Sequence, residues 1–121
     1  MAGFAETIGI TALTAEDGEA RAEVDAAEQH LNPAGTVHGG VLATLVDTTM
    51  GAAVRSTTGE QDVPATSQLT IAYLRPGSEG RLTATAHVGK QGEHLLICQA
   101  QVEQDGRTLV EALATFAIAK R

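Results

Sequence analysis

Residues His30–Val54 read HLNPAGTVHGGVLATLVDTTMGAAV, a glycine-rich loop followed by an apolar run in which Asp47 is the only fully charged side chain. From Val41 to Ser56 the apolar residues recur at helical spacing, which predicts one long helix that ends near Gly59. No cation lies three or four residues from Asp47, so an ion pair within the helix is excluded. A carboxylate in such surroundings loses hydration, which makes Asp47 the first candidate for a functional group.

The predicted helix has two different faces. One apolar stripe is expected to pack against a sheet: Val41, Leu42, Leu45, Val46, Thr49, Ala52 and Ala53. The opposite face carries Asp47 and is expected to point away from the sheet, where a second molecule or a ligand covers it. Its other members are mostly small: Gly40, Ala43, Thr44, Met50, Gly51 and Val54.

Strand-like runs lie on both sides of the helix in the sequence. Residues 7–25 form two alternating runs around the turn Glu16-Asp17-Gly18, with Ala20, Ala22 and Val24 on one side. Four further runs, at about 64–75, 81–90, 94–103 and 107–119, are separated by the turn signals Pro76-Gly77, Gln91-Gly92 and Asp105-Gly106. These short connections predict an α+β domain over residues 1–121, with one helix wrapped by a curved antiparallel sheet of about six strands.

The charge and the aromatic content of the chain limit the kinds of ligand it is expected to bind. The net charge is −7 and only three aromatic residues occur among 121, so binding of DNA or RNA is not expected. Seven of the eight Lys and Arg residues lie at or beyond Arg55, and a small anionic ligand can still find cations there.

The cysteine content, the hydropathy and the missing motifs argue against disulfide-bonded, membrane-spanning and cofactor-dependent proteins. The single Cys98 allows no intrachain disulfide, suits a reducing compartment and is expected to be a buried, unreactive thiol. No signal pattern starts the chain and no segment reaches the roughly 18 apolar residues of a membrane span, so a soluble, cytoplasmic protein is expected. The four histidines lack metal-ligand spacing, and no phosphate or dinucleotide loop occurs, so neither a metal nor an organic cofactor is implied.

The start of the predicted helix can stabilise an oxygen that becomes negative during acyl transfer, because Gly39 and Gly40 leave its backbone donors sterically open. Asp47 can attack a carbonyl or activate water. Seven or eight helical residues separate the two groups by roughly 10–12 Å, so one carbonyl cannot reach both in one subunit. The spacing therefore predicts a homodimer with two shared sites, in which the helix start of one copy meets Asp47 of the other.

Each polar or glycine residue that could take part in this chemistry can also have an ordinary structural role, and the sequence leaves that alternative open. The roles are a hydrogen bond to loop backbone for Asp47, capping or packing for His38, a turn for Gly39, Gly40 and Asn32, and sheet packing for Thr66.

The ordered set NPAGTVHGGVLATLVD, from Asn32 to Asp47, resembles the signature of the hotdog-fold acyl-CoA thioesterases of the phenylacetate-degradation (PaaI-like) branch. The similarity continues through Ile71–Pro76 and the turn at Val88–Gly92, so it covers nearly the whole chain. It implies the hotdog fold, hydrolysis of acyl-CoA without a cofactor, and homodimers that commonly pair into homotetramers.

The resemblance also implies roles at matching positions. Asp47 aligns with the catalytic carboxylate, as general base or nucleophile, and Gly39, with Gly40 beside it, aligns with the backbone donor that polarises the thioester carbonyl. The remaining matches are His38, positioned at that carbonyl; Asn32, lining the same half-site; and Thr66, where relatives carry a Ser or Thr that orients the attacking water across the dimer interface.

In such proteins CoA runs along the strand ends, which here means the segments Tyr73–Pro76 and Lys90–Leu95. The candidate CoA contacts are Tyr73, Arg75, Arg81, Lys90, Gln91 and Gly92, with ordinary solvation as the alternative for the three cations. Thr44 stands where phenylacetyl-type relatives often have an aromatic residue, so a preference for aryl substrates is not implied.

Three functions follow from this reading. The leading hypothesis is a cytoplasmic acyl-CoA thioesterase. The alternatives are a non-catalytic acyl-CoA binding module in the same crevice and a hotdog-fold enoyl-CoA hydratase or dehydratase, which requires a different arrangement of histidine and carboxylate. Acyl chain length and physiological pathway are not encoded in any motif of the chain.

Overall fold

One long helix, α2 (Gly39–Arg55), lies in the curve of a six-stranded antiparallel sheet, as predicted. The computed structural model describes residues 3–120; Met1, Ala2 and Arg121, the ends of the predicted domain, lie outside the described residues. The elements before α2 are α1 (Phe4–Ile8), β1 (Ile10–Glu16), β2 (Glu19–Ala26) and a 3₁₀ turn (Glu28–His30). Those after it are β3 (Asp62–Tyr73), β4 (Gly80–Gln91), β5 (Leu95–Gln104) and β6 (Arg107–Lys120).

The strands are hydrogen-bonded in the order β1-β2-β4-β5-β6-β3, which leaves β1 and β3 at the two edges. Hairpins join β1 to β2, β4 to β5 and β5 to β6, at the turns that the sequence predicts. The pairs β2–β4 and β3–β6 join strands that are distant in the chain. With the helix in its curve, this sheet is the hotdog fold.

The helix begins at Gly39, two residues before the predicted start, and ends at Arg55. Glycines are poor helix formers, so the sequence pattern assigned Gly39 and Gly40 to the loop. The structure places them in the first turn because the Nδ1 atom of His38 caps it, accepting a hydrogen bond from the Gly40 N–H at 2.7 Å.

The apolar stripe of α2 is buried against the sheet, as predicted, and the alternating residues Ala20, Ala22 and Val24 of β2 face it. The opposite face was predicted wrongly in its second half. Met50 and Val54 are fully buried and Gly51 is also buried within the single chain, so no second molecule is needed to cover them. The sheet curves around this end of the helix, and only the first half of that face remains partly open.

Two short elements were not predicted. Residues 7 and 8, assigned to a strand, belong to α1, which ends where Gly9 adopts a left-handed conformation with φ 88°. The 3₁₀ turn ends in His30, a buried histidine whose Nδ1 accepts from the Ala27 N–H at 3.0 Å and whose Nε2 lies 2.7 Å from the carbonyl oxygen of Ile8. His30 therefore ties α1 to the loop that leads into the helix.

Candidate functional site

The start of α2 offers one backbone donor rather than two. The Gly40 N–H is occupied by His38, which corrects the prediction that both glycines present open donors. The Gly39 N–H has no hydrogen-bond partner among the described residues, as expected for the first residue of a helix. The Tyr73 hydroxyl donates to the Gly39 carbonyl at 3.0 Å, and its ring lies 3.4 Å from where a Cβ on Gly39 would stand.

His38 keeps one donor for chemistry. Because its Nδ1 accepts from an N–H, the neutral ring must carry its proton on Nε2. The capping role that the sequence left open for His38 is thus present, and Nε2–H remains available next to the helix start.

Asn32 holds its own loop together. Its Oδ1 accepts from the backbone N–H groups of Ala34 at 3.0 Å and Thr36 at 3.2 Å, and its Nδ2 donates to the Thr36 hydroxyl at 3.0 Å. This is the turn role that the sequence left open. One N–H of the side-chain amide is still unused in these bonds, and it is the group Asn32 can offer to a ligand.

Asp47 lies partly buried in the middle of α2 and contacts the edge strand β3. The Thr66 hydroxyl donates to Asp47 Oδ1 at 2.6 Å. The prediction that Asp47 points away from the sheet is therefore wrong: its neighbour is a sheet residue of the same chain. The bond holds one carboxylate oxygen and leaves Oδ2 without a hydrogen bond from the described residues.

The structure thus contains two half-sites within one chain. One is the helix start, with Asn32, His38 and Gly39, and the other is the pair Asp47 and Thr66. Eight helical residues separate Gly39 from Asp47, which places their backbones about 12 Å apart. This is the separation that the sequence predicts, and the single chain does not bring the two half-sites together.

A groove of about 270 Å³ opens beside the helix start. Val37, Leu42 and Leu74 give it an apolar wall, while Tyr73 and Arg75 stand along it. Arg75 is exposed and uses Nη1 to hold the Thr108 carbonyl at 2.8 Å. The groove is therefore partly apolar, and Gly39 is one of the residues that line it.

The predicted CoA contacts divide between the two ends of the sheet. Tyr73 and Arg75 lie beside the helix start, whereas Lys90, Gln91 and Gly92 lie at the opposite end of β4. Nine extended residues separate Arg81 from Lys90, which corresponds to about 30 Å. One chain does not bring these segments together.

Arg81 is paired with acidic side chains on the outer face of the sheet. Its Nε lies 3.4 Å from Asp25 Oδ1 and 3.9 Å from Glu23 Oε1. The closer pair, with Asp25, is exposed, and the pair with Glu23 is long, so both hold the guanidinium only weakly.

Cys98 is fully buried, and burial raises the pKa of its thiol to about 11, so it stays protonated at neutral pH. Within residues 3–120 no cluster of His, Cys, Asp or Glu side chains suits a metal ion. No helix in the described part of the chain is long and apolar enough to cross a membrane.

Known proteins are similar to this chain in sequence and in fold. The model of the thioesterase superfamily matches residues 34–111, well over half of the chain. Human acyl-coenzyme A thioesterase 13 is 39% identical over 95 residues, 76% of this chain and 66% of the human protein. Acyl-coenzyme A thioesterase PaaI of Escherichia coli is 38% identical over 91 residues, 74% of this chain and 62% of that protein.

The solved structure of conserved protein PA5202 from Pseudomonas aeruginosa superposes with a TM-score of 0.94 at 29% identity, covering 98% of this chain and 95% of that one. The chain thus spans just under two thirds of the length of the human and Escherichia coli proteins and nearly all of the Pseudomonas protein. The family match and these identities establish that the chain belongs to the thioesterase superfamily, as a hotdog-fold relative of PaaI.

Proposed function

We propose that the protein hydrolyses acyl-CoA thioesters to a free acid and CoA, in sites shared between two copies of the chain. The observation that carries the proposal is the pair of half-sites on α2. A free backbone donor at Gly39 and a carboxylate at Asp47, oriented by Thr66, are the two groups that acyl transfer requires. They lie about 12 Å apart, too far to act on one carbonyl within one chain.

The edge strand β3 supplies the means of joining two copies. It is twelve residues long and, among residues 3–120, pairs only with β6, so its other edge is unpaired in this part of the chain. Such an edge is a template for a strand of another molecule. Antiparallel pairing of β3 with β3 of a second copy obeys two-fold symmetry and gives a homodimer with two equal sites.

A bulge in β3 brings Thr66 and Tyr73 to the same face of the strand, towards α2. Thr66 pairs with Phe116 and Tyr73 with Val110, and both partners are buried against the helix. Thr66 and Tyr73 are seven residues apart and would face opposite sides of a regular strand, but the register shifts between Thr66 and Gln68. Each half-site thus has a β3 residue beside it on the helix side.

These two β3 residues indicate the register of the proposed dimer. The Asp47 half-site of one copy meets the Gly39 half-site of the other when Thr66 lies beside Tyr73 of the second copy. This places the two-fold axis near Leu69 and Thr70, close to the middle of the strand. The pairing also brings the Lys90 end of one sheet towards the Tyr73 end of the other, so that one CoA can contact both segments.

The proposed reaction begins when the thioester carbonyl accepts a hydrogen bond from the Gly39 N–H. Asp47 of the other copy either takes a proton from water, which attacks the carbonyl carbon, or attacks it directly to form an anhydride that water then cleaves. The negative charge that develops on the carbonyl oxygen is stabilised by the Gly39 N–H and the start of the helix. The C–S bond breaks and CoA leaves as the thiolate, which then takes up a proton.

The other predicted residues support these two groups. His38 Nε2–H and the remaining amide N–H of Asn32 are proposed as further donors to the substrate at this half-site. Thr66 is proposed to hold Asp47 Oδ1 so that Oδ2 is left for the reaction. The proposed CoA contacts are the Tyr73 ring, Arg75, Lys90, Gln91 and Gly92. Arg81 is a further proposed contact, because its ion pairs with acidic neighbours hold it only weakly.

The proposal extends to how the dimers assemble and where in the cell the protein acts. The dimers are proposed to pair into a homotetramer, as the resemblance to PaaI-like proteins implies. A cytoplasmic location suits the single buried, reduced thiol of Cys98.

The test is release of free thiol from short, medium, long and aryl acyl-CoAs by the native protein and by Asp47→Asn, which is nearly isosteric. We expect turnover of at least one thioester and a fall of about 100-fold or more in the variant, because loss of a general base alone costs about 10²–10⁴. Binding of acyl-CoA without turnover would support a binding module instead. An absorbance change on enoyl-CoA without thiol release would support a hydratase.

A further inference from the structure

The peptide unit between Gly39 and Gly40 is held at both ends by side chains. The Tyr73 hydroxyl donates to its carbonyl oxygen at 3.0 Å. Its N–H donates to His38 Nδ1 at 2.7 Å. One side chain comes from the end of β3 and the other from the residue before the helix, so the unit is tied to the sheet and to the loop at the same time.

This unit needs external support because two glycines form the first turn. Each glycine is less favourable than alanine within a helix, since it has far more backbone freedom to lose. A helix that begins with Gly-Gly therefore tends to fray where the free Gly39 N–H must point in one direction. Backbone donors stabilise a developing negative charge well only when their direction is fixed beforehand.

The contacts also explain why small residues are suited to these positions. A Cβ on Gly40 would lie 3.0 Å from His38 Nδ1, which is too close for the capping bond to keep its geometry. A Cβ on Gly39 would lie 3.4 Å from the Tyr73 ring, an ordinary contact that leaves little room beside the amide. The two side chains fit closely around a glycine backbone.

From these contacts we propose that Tyr73 and His38 are positioning residues that clamp the Gly39–Gly40 peptide. Because the clamp holds one side of Gly39 Cα, it restricts how the preceding peptide, which carries the Gly39 N–H, can turn. The inference rests on the proposed thioester hydrolysis for its kinetic consequence. It assigns the Tyr73 hydroxyl to the helix start rather than to CoA. Tyr73 thereby acts through Gly39, and its hydroxyl does not touch the reacting atoms.

The kinetic test is Tyr73→Phe, which removes the hydroxyl and keeps the ring. We expect kcat to fall about tenfold, because small misplacements of catalytic groups already cost this much, while KM changes less than about twofold. The matched control is Thr85→Val, which also deletes one hydroxyl but on the exposed outer face of β4, and its kcat and KM should equal the native values. A raised KM at native kcat would overturn the clamp in favour of a CoA contact, and native values for both would also overturn it.

A second readout does not depend on activity. Amide hydrogen exchange at Gly40, measured by NMR on the native protein and on Tyr73→Phe, reports directly on the clamped peptide. We expect at least about fivefold faster exchange at Gly40 in the variant, with unchanged exchange in the centre of α2 and unchanged Tm, because fraying is confined to the first turn. Unchanged exchange at Gly40 would overturn the clamp. If the native protein releases no thiol from any acyl-CoA, the proposed function fails, and the exchange result still decides the clamp.

Discussion

Glycine at position 39 leaves the first amide of α2 without a partner in the described part of the chain, while the next amide is capped by His38. At the scale of single residues, the proposed chemistry therefore depends on one N–H and on the carboxylate of Asp47. The sequence identified both, Asp47 by its isolation among apolar residues and Gly39 by its place before the helix. It did not show that Gly40 is capped, because that depends on the rotamer of His38.

Two substitutions at position 39 distinguish the effect of losing the N–H from the effect of adding bulk beside it. Proline is favoured at the first position of a helix, and the extended backbone of His38, with ψ 134°, suits a following proline. Gly39→Pro deletes the N–H and should lower kcat about 10²–10³-fold, the usual cost of losing one oxyanion donor. Gly39→Ala keeps the N–H with an ordinary 3.4 Å contact, and should lose far less. Equal losses in the two variants would show that crowding, not the donor, is responsible.

The loop before α2 is the element that carries one half-site, and hydrogen bonds from the buried His30 and the partly buried Asn32 hold it. His30 bonds to backbone groups of Ala27 and Ile8, and Asn32 bonds across its own turn. The sequence predicted the loop from its glycines and proline but not these bonds. The bonds depend on the path of the loop backbone, and no periodic sequence pattern reveals that path. The start of the helix and the four strands after it were predicted to within about two residues because their apolar spacing is regular. The end of the helix, expected near Gly59, and the start of the first strand, expected at residue 7, were off by three or four residues.

We expect His30→Ala to destabilise the protein by about 2–3 kcal/mol, because it leaves two backbone groups without partners in a buried site. The matched control is His94→Ala, since His94 is 74% exposed and its substitution should change stability by less than about 0.5 kcal/mol. Urea unfolding at equal protein concentration measures both values. Equal stability of the two variants would contradict the anchoring role of His30.

At the scale of the whole molecule, the central question is how two half-sites about 12 Å apart act on one carbonyl. The sequence predicted the separation and a shared dimer site. It could not predict that β3 is an edge strand or that a bulge turns Thr66 to the helix side, because both follow from pairing with β6, which is distant in the chain. The register proposed for the dimer, near Leu69 and Thr70, is argued from the bulge and the strand order rather than from any sequence pattern.

Complementation between two inactive chains tests this shared site most directly. Asp47→Asn and Gly39→Pro are co-expressed in equal amounts, and thiol release from the best acyl-CoA substrate is compared with each variant alone. In a shared site, half of the dimers contain one chain of each kind, and one of their two sites has both native half-sites, so about a quarter of the native rate returns. A mixture no more active than its parents would contradict a site built from two copies.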